Sequence, residues 1–270
     1  MTTDRPRVFV FTYDRYETIT TSPMLEAENI EHVVLCHSEE QKDHFIEAGR
    51  VRPDRIIATG EPRGLAYNRN IALDMMTEGE WAMFLVDDLR SVSSVDTYDT
   101  ELEASPLPIT MENQSEWRPR FRTKISLETF LERAHKDTEH AEKMGAHLVG
   151  FCGVGNVLFR TKKWTYNTFA DGRAWMVQKT DLRFDRNVHT IDDLCWTALN
   201  IDRFGVTVND NWILPDCSRY TAGGYGSISD RLEQKMTEID YLVRTYPHLI
   251  TTRAKKGWPE GSHAVLRRTR

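Results

Sequence analysis

The sequence predicts an α/β fold: one Rossmann-like, mainly parallel sheet flanked by helices. Three observations carry this. Short apolar runs rich in β-branched and aromatic residues recur along the first 90 residues. Helix-like segments separate them, so the order is strand, helix, strand, which builds βαβ units with parallel neighbours. The chain has 270 residues, 40% hydrophobic and 28% charged, an ordinary globular mix that can bury a substantial core.

Arg7 to Thr12 (RVFVFT) reads as a buried strand, followed by Glu31 to Cys36 (EHVVLC), Arg55 to Thr59 (RIIAT) and Trp81 to Val86 (WAMFLV). Helices are expected near Ser22 to Asn29, across Ser38 to Ala48 and from Leu65 to Thr77. Ser91 to Trp117 lacks periodicity and contains Pro106 and Pro108, which predicts a long surface loop inserted after the fourth strand. Ser126 to Met144 is a helix with Ser126 as N-cap and an apolar face from Leu127, Phe130, Leu131, Ala134, Ala141 and Met144. Ala146 to Cys152 and Val154 to Phe159 read as two further strands. Asp192 to Phe204 is a helix that Gly205 can end in a left-handed conformation. Ile228 to Tyr246 is the last helix, with Pro247 beyond its end. No repeat or linker divides the chain, so one domain over 1–270 is expected.

No apolar run reaches the roughly 20 residues that span a bilayer, and the polar start lacks a signal-peptide pattern. Cys36, Cys152, Cys195 and Cys217 are scattered, with no CxxC pair, which argues against structural zinc and a disulfide scaffold. A cytoplasmic, non-membrane protein is expected. The formal net charge is -6. Ser91 to Glu116 holds Asp96, Asp99, Glu101, Glu103, Glu112 and Glu116 without a Lys or Arg. Basic clusters follow at Arg118, Arg120, Arg122 and Lys124, and again at Arg253, Lys255, Lys256, Arg267, Arg268 and Arg270. Local basic faces on an acidic protein are one reading, and a solvated charged surface is the other.

Three motifs can carry chemistry. Asp87 and Asp88 directly follow a buried strand. Ligands of open α/β sheets bind beyond the carboxyl ends of strands, and paired carboxylates suit a hard divalent cation bridging a diphosphate; a polar turn is the plainer alternative. Arg63 to Asn70 (RGLAYNRN) starts a helix at Gly64, where free N–H groups and the dipole favour an anion. Arg63 and Arg69 add charge there. Asn70 falls on the helix face with Ala66 and Leu73, so its amide needs either a core partner or a ligand. Thr190 to Asp193 (TIDD) opens a later helix. Thr190 and Asp193 fit a capping pattern; alternatively one of Asp192 and Asp193 is a general base.

The order of these motifs resembles the GT-A glycosyltransferases, in particular the family-2-like group. Phe11-Thr12-Tyr13-Asp14-Arg15 is similar to that group's Thr-Tyr-Asn-Arg segment after the first strand. Gly64 to Asn70 is similar to its Gly-x-x-x-Ala-Arg-Asn element, with Asn68 in place of Ala. The Asp87-Asp88 region matches its metal-binding DXD element, though here the acids are adjacent, and Ile191-Asp192-Asp193-Leu194 is similar to its acidic base motif. The likeness spans about Arg7 to Phe204. It implies a nucleotide-binding half over 1–90 and an acceptor and catalytic half over 125–270. It further implies nucleotide-sugar contacts from Thr12, Tyr13, Arg15, Arg63, Gly64, Arg69, Asn70 and Asp87. Mn²⁺ or Mg²⁺ is implied on Asp88 and Asp87 with His263 as a third ligand, and catalysis by Asp193 or Asp192.

The stretch Ala222-Gly223-Gly224-Tyr225-Gly226, followed by Arg231 and Lys235, looks like the phage glycosyltransferases associated with base-oxidising dioxygenases. That likeness implies a 5-hydroxymethylated pyrimidine in DNA as acceptor; a UDP-sugar is the expected donor, and Gly223, Gly224 and Arg231 are the expected acceptor or phosphate contacts. Tyr13, Trp117, Trp175 and Tyr225 are then candidates to stack on a flipped base. The acidic total charge favours a carbohydrate, lipid-linked or protein acceptor instead. Nucleotidyl transfer is disfavoured because Tyr13 to Tyr16 lacks a glycine-rich loop. A non-catalytic nucleotide-sugar or DNA binding module is the other class of reading. No protein partner is expected.

Overall fold

The computed structural model describes residues 5–60, 64–95, 122–152, 163–217, 228–254, 261 and 263–267. Its elements are β1 (Arg7–Phe11), α1 (Thr21–Ala27), β2 (Val33–Cys36), α2 (Glu39–Glu47), β3 (Ile56–Ala58), α3 (Leu65–Asp74), β4 (Trp81–Val86), β5 (Leu89–Ser94), β6 (Thr123–Ile125), α4 (Leu127–Met144), β7 (Leu148–Phe151), β8 (Trp164–Tyr166), β9 (Ala174–Gln178), α5 (Asp192–Phe204), β10 (Val208–Asp210), β11 (Ile213–Cys217), α6 (Ile228–Thr245), β12 (Ile250–Thr252) and β13 (Ala264–Leu266).

β1 shows how the sequence builds the sheet. Its side chains alternate with period two. Val8 and Val10 enter one buried cluster, Phe9 and Phe11 the other. Both faces are therefore covered, which is why the strand reads as a continuous apolar run. Leu25 of α1, Phe45 of α2 and Phe130, Leu131, Ala134 and Ala141 of α4 pack on the first face. Ala66, Ala72 and Leu73 of α3 and Trp196 of α5 pack on the second. Each large apolar side chain so buried contributes about 1.5–3 kcal/mol. A third cluster joins Leu194, Cys195 and Ala198 of α5 to Ile239 and Leu242 of α6 and Ile250 of β12.

The main sheet has eight strands in the order β3-β2-β1-β4-β9-β7-β10-β8. β3, β2, β1 and β4 are parallel neighbours, and β10 is parallel to β7. β9 runs antiparallel between β4 and β7, and β8 is an antiparallel edge. The mainly parallel sheet is thus as expected, with two reversed strands added. The chain leaves β1 toward β2 and β3 on one side and returns to β4 on the other. β1 and β4 therefore form a topological switch point, where strand ends open into a crevice.

The helix limits follow local chemistry. Ser126 Oγ accepts the Thr129 N–H at the start of α4, and Gly145 ends it at φ 72°. Gly205 ends α5 at φ 80°, a left-handed value that favours glycine. The expected loop at Ser91 begins differently: Leu89–Ser94 is β5, paired antiparallel with β11 and β6 in a three-stranded sheet. Val92 and Val95 are buried there. The partners come from distant sequence, so no short-range pattern announces the strand. The rest of that loop and the expected Val154–Phe159 strand lie outside the described residues. No described helix is long and apolar enough to cross a membrane. All four cysteines are free thiols.

One charge cluster sits away from the crevice. Asp137 of α4 and Asp210 of β10 are both buried, and Lys163 reaches them at 3.7 and 3.6 Å. Burial, and then the Asp210 charge, pushes the Asp137 carboxyl up to about 8. A carboxyl raised in the folded state stabilises it fully below the unfolded value near 4, and that contribution is lost as pH rises toward 8. Asp137→Asn keeps the protonated shape at every pH. We expect thermal melts of the variant and wild type to coincide only below pH 4, with the variant melting about 2–4 °C higher per kcal/mol recovered at pH 8.5.

Candidate functional site

The crevice at the ends of β1 and β4 is a cavity of about 310 Å³. The turn that follows β4 builds its acidic wall. Asp87 Oδ2 accepts from Thr12 Oγ1 at 2.8 Å and from the Tyr13 N–H at 3.4 Å, and Asp87 Oδ1 accepts from Arg15 at 2.9 Å. Its backbone carbonyl accepts the N–H groups of Thr20 and Thr21 just before and at the start of α1. Thr21 Oγ1 donates to Val86 O and accepts the Leu89 N–H. The Asp87-Asp88 turn is thereby fixed to two neighbouring segments. Burial raises the Asp87 carboxyl to about 6, against the opposing pull of Arg15.

Asp88 differs from Asp87. Its Oδ2 pairs with Arg15 at 2.5 Å, and among the described residues it has no other hydrogen-bond or ion-pair partner. It lines both this cavity and a larger adjoining one. Asp87 is thus saturated by protein donors, while Asp88 keeps capacity to bind. Among the described residues no three His, Cys, Asp or Glu side chains converge to hold a metal ion. His263, expected as a third ligand, lines the larger cavity with Asp88. The donor chemistry at Asp88 still suits Mg²⁺ or Mn²⁺, which commonly takes one or two carboxylates and completes its shell with water and phosphate oxygens.

The opposite wall comes from α5. Asp192 is buried and pairs with Arg69, whose guanidinium lies 4.5 Å from the Trp175 ring centroid and 5.5 and 5.6 Å from those of Phe184 and Phe11. Burial raises the Asp192 carboxyl and Arg69 opposes that rise. Asp193, one residue on, lines both cavities and has no ion pair among the described residues. It accepts the Leu194 N–H at 2.8 Å and the Gly172 N–H at 3.3 Å. Burial, and then the charges of Asp192 and Asp171, pushes its carboxyl up to about 7. A group poised there is half ionised near neutral pH, as a general base requires.

The capping reading of Thr190 and Asp193 gives way to a different cap. Glu238 of α6 accepts the backbone N–H groups of His189, Thr190 and Ile191 and the Thr190 hydroxyl. A buried carboxylate from a distant helix thus neutralises the start of α5, and Asp193 is left facing the cavities. The sequence around Glu238 carries no local sign of this role.

Other expected residues divide. Tyr13, Arg15, Arg69 and Asp87 line the smaller cavity. Thr12 acts through Asp87. Asn70, expected at the nucleotide, instead exchanges two hydrogen bonds with the Phe184 backbone, at 3.0 and 2.9 Å, and lines neither cavity; its amide satisfies the core. Gly64 starts α3 at φ 153°, where a Cβ would lie 2.3 Å from His189 Nδ1. Its glycine is needed for that approach, and His189 occupies the wall beside the helix start. Trp175 is fully buried and cannot stack on a base from solution. Arg231 lines both cavities. Arg63, Gly223, Gly224, Trp117 and Tyr225 lie outside the described residues.

The larger cavity, about 1270 Å³, shares Arg15, Asp88, Asp171, Arg173, Thr190, Asp193 and Arg231 with the smaller. Asp171 and Arg173 were not singled out from sequence. They pair at 3.0 Å, and Arg173 also donates to Pro215 O. Gly172 between them meets Asp193: an added Cβ would lie 3.0 Å from the Asp193 Cβ and 3.3 Å from Trp175. The charged lining of the larger cavity otherwise comes from Lys235, Arg253 and Arg267, so its cations outnumber its acids on a chain of net charge -6. The chain matches no model of a known protein family, and no curated protein matches it.

Removing one partner of a buried ion pair strands the other charge, at a cost of about 3–5 kcal/mol. Arg69→Ala should lower the denaturant midpoint accordingly, and Arg69→Met with Asp192→Leu should recover most of that loss. An Arg69→Ala protein as stable as wild type would deny the pair its structural role.

Proposed function

We propose that this chain is a metal-assisted glycosyltransferase of the GT-A type, moving a sugar from a nucleotide sugar to an acceptor hydroxyl. The observation that carries the reading is the crevice at the β1/β4 switch point. One wall offers Arg15 and the unsaturated carboxylate of Asp88, and the other offers Asp193 near neutral pKa. A diphosphate needs cationic partners, and an incoming hydroxyl needs a base; the two are provided on facing walls.

In this reading Asp88 would hold Mg²⁺ or Mn²⁺ with water and diphosphate oxygens, supplying charge neutralisation for the leaving group. Arg15 adds a guanidinium to the same region, oriented by Asp87 and Asp88. Tyr13 lines the cavity and meets His37 edge-to-face, with ring centroids 5.3 Å apart. Asp193 removes the acceptor hydroxyl proton as that oxygen bonds to the anomeric carbon. The carbon–oxygen bond to the diphosphate breaks and its electron pair leaves with the phosphate. A single displacement of this kind inverts the anomeric centre. Asp192 holds Arg69, and Gly172 holds Asp193, so both are positioning residues.

The donor is taken as a UDP-sugar and the acceptor as a 5-hydroxymethylated pyrimidine in DNA. The excess of cations around the larger cavity favours a polyanionic acceptor over a neutral glycan or lipid. That cavity meets Asp193 directly, so an acceptor bound there reaches the base.

Titration calorimetry with UDP, GDP, CDP and ADP, with and without Mn²⁺, tests the donor site. One diphosphate should bind in a metal-dependent manner, and Asp88→Ala should abolish the metal dependence. Binding of none by a folded protein would favour a module without this activity. For the base, Asp193→Asn should lower kcat by about 100-fold or more while donor KM stays within roughly twofold. The carboxylate is the active form, so wild-type kcat/KM should rise with pH through about 7 and then level. A profile flat from pH 5.5 to 8.5 would remove Asp193 from that role.

A further inference from the structure

Two large apolar side chains stand exposed at the rim of the larger cavity. Tyr166 is 41% and Phe169 44% exposed. They are not on a loose loop. Asn167 between them holds a left-handed backbone at φ 51°, and its N–H donates to Thr207 O at 3.1 Å. Its side chain donates to Gly205 O and accepts the Thr207 N–H. Asn209 Nδ2 donates to both Thr168 O and Thr168 Oγ1, and Tyr166 belongs to edge strand β8. His140 bonds the Tyr166 hydroxyl at 3.1 Å. The turn is fixed at several points, so the fold holds both rings in water instead of letting them collapse into the core. Leaving apolar area exposed costs free energy, and a rigid exposed aromatic pair beside cations fits a partner with flat rings and negative charge.

We infer that Tyr166 and Phe169 form a stacking platform for unpaired nucleic-acid bases, with the strand's phosphates lying toward Arg253, Arg267 and Lys235 on the same cavity. This rests on the proposed DNA acceptor and adds to it the surface that grips bases flanking the modified one. Aromatic faces accept any base, because every base has a π-face, while the cations follow the backbone. The acidic total charge does not oppose this, since the field that matters is local. Tyr166, Phe169 and Asp193 line the same cavity, so a strand gripped by the two rings shares that cavity with the general base.

The test is fluorescence anisotropy on a labelled single-stranded oligonucleotide of about 16 nucleotides, the upper end of common single-strand site sizes. It is run with and without one 5-hydroxymethylcytosine, across a salt series. Wild type should bind, and Tyr166→Ala with Phe169→Ala should weaken binding about tenfold or more. The slope of log K against log salt should stay unchanged in that variant. Arg253→Ala with Arg267→Ala should instead flatten the slope by roughly 1–2. Tyr166→Trp with Phe169→Trp should restore affinity, which a merely structural role would not allow. The platform is overturned by a wild type that does not bind the strand, by a well-folded alanine pair that binds as tightly, or by a tryptophan pair as weak as the alanine pair. Diphosphate titration of the same preparations separates the two ideas. Diphosphate binding without strand binding leaves the donor reading and removes the platform; strand binding without diphosphate binding does the reverse.

Discussion

Arg69 carries a permanent charge into a site walled by Phe11, Trp175 and Phe184, where an unpaired guanidinium would be untenable. Asp192 answers it. The pair spans two helices far apart in sequence, α3 and α5, and so fixes the second wall of the crevice against the first. Such a pair is weak evidence of net stability, because desolvation offsets most of the attraction. The pair ties the start of α5 to α3, and Asp193 follows Asp192 on that helix. Glu238, capping the start of α5 from α6, makes the same position electrostatically favourable from the other side.

Four of the five carboxylates that line the crevice, the two adjacent pairs, acquire different characters from their surroundings alone. Asp87 is consumed by Thr12, Tyr13 and Arg15. Asp192 is consumed by Arg69. Asp88 shares one oxygen with Arg15 and keeps the rest of its capacity, and Asp193 takes two backbone N–H groups with no ion pair among the described residues. Adjacent identical residues, Asp87 beside Asp88 and Asp192 beside Asp193, thus split into one that holds the scaffold and one that faces the ligand space. Along the turn and the helix start, neighbouring side chains necessarily diverge, and the donors nearby decide which is neutralised.

The larger cavity adds a second asymmetry. Where the two cavities meet, Asp88, Asp171 and Asp193 are balanced by Arg15, Arg173 and Arg231, while Lys235, Arg253 and Arg267 line the larger cavity alone. A net charge of -6 conceals this, because it sums over the whole chain and carries no information on where the charges lie.

Much of the fold could be read from the residues. The runs at Arg7, Glu31, Arg55 and Trp81 became β1 to β4, and Ser126, Gly145 and Gly205 mark helix limits through local hydrogen bonding and backbone freedom. β5 and the reversed β9 were not legible, since each is defined by partners far along the chain. At the site, the sequence by itself determined that acids and arginines would gather at strand and helix ends, because short periodic patterns fix which residues lie there. It left open which aspartate of each pair was available, that Asn70 would serve Phe184, that Asp171, Gly172 and Arg173 would line the crevice with Asp193, and that Glu238 would cap the start of α5. Those depend on charges and donors brought within a few ångströms by tertiary packing, and electrostatic character at that range belongs to the assembled neighbourhood and not to any one segment of chain.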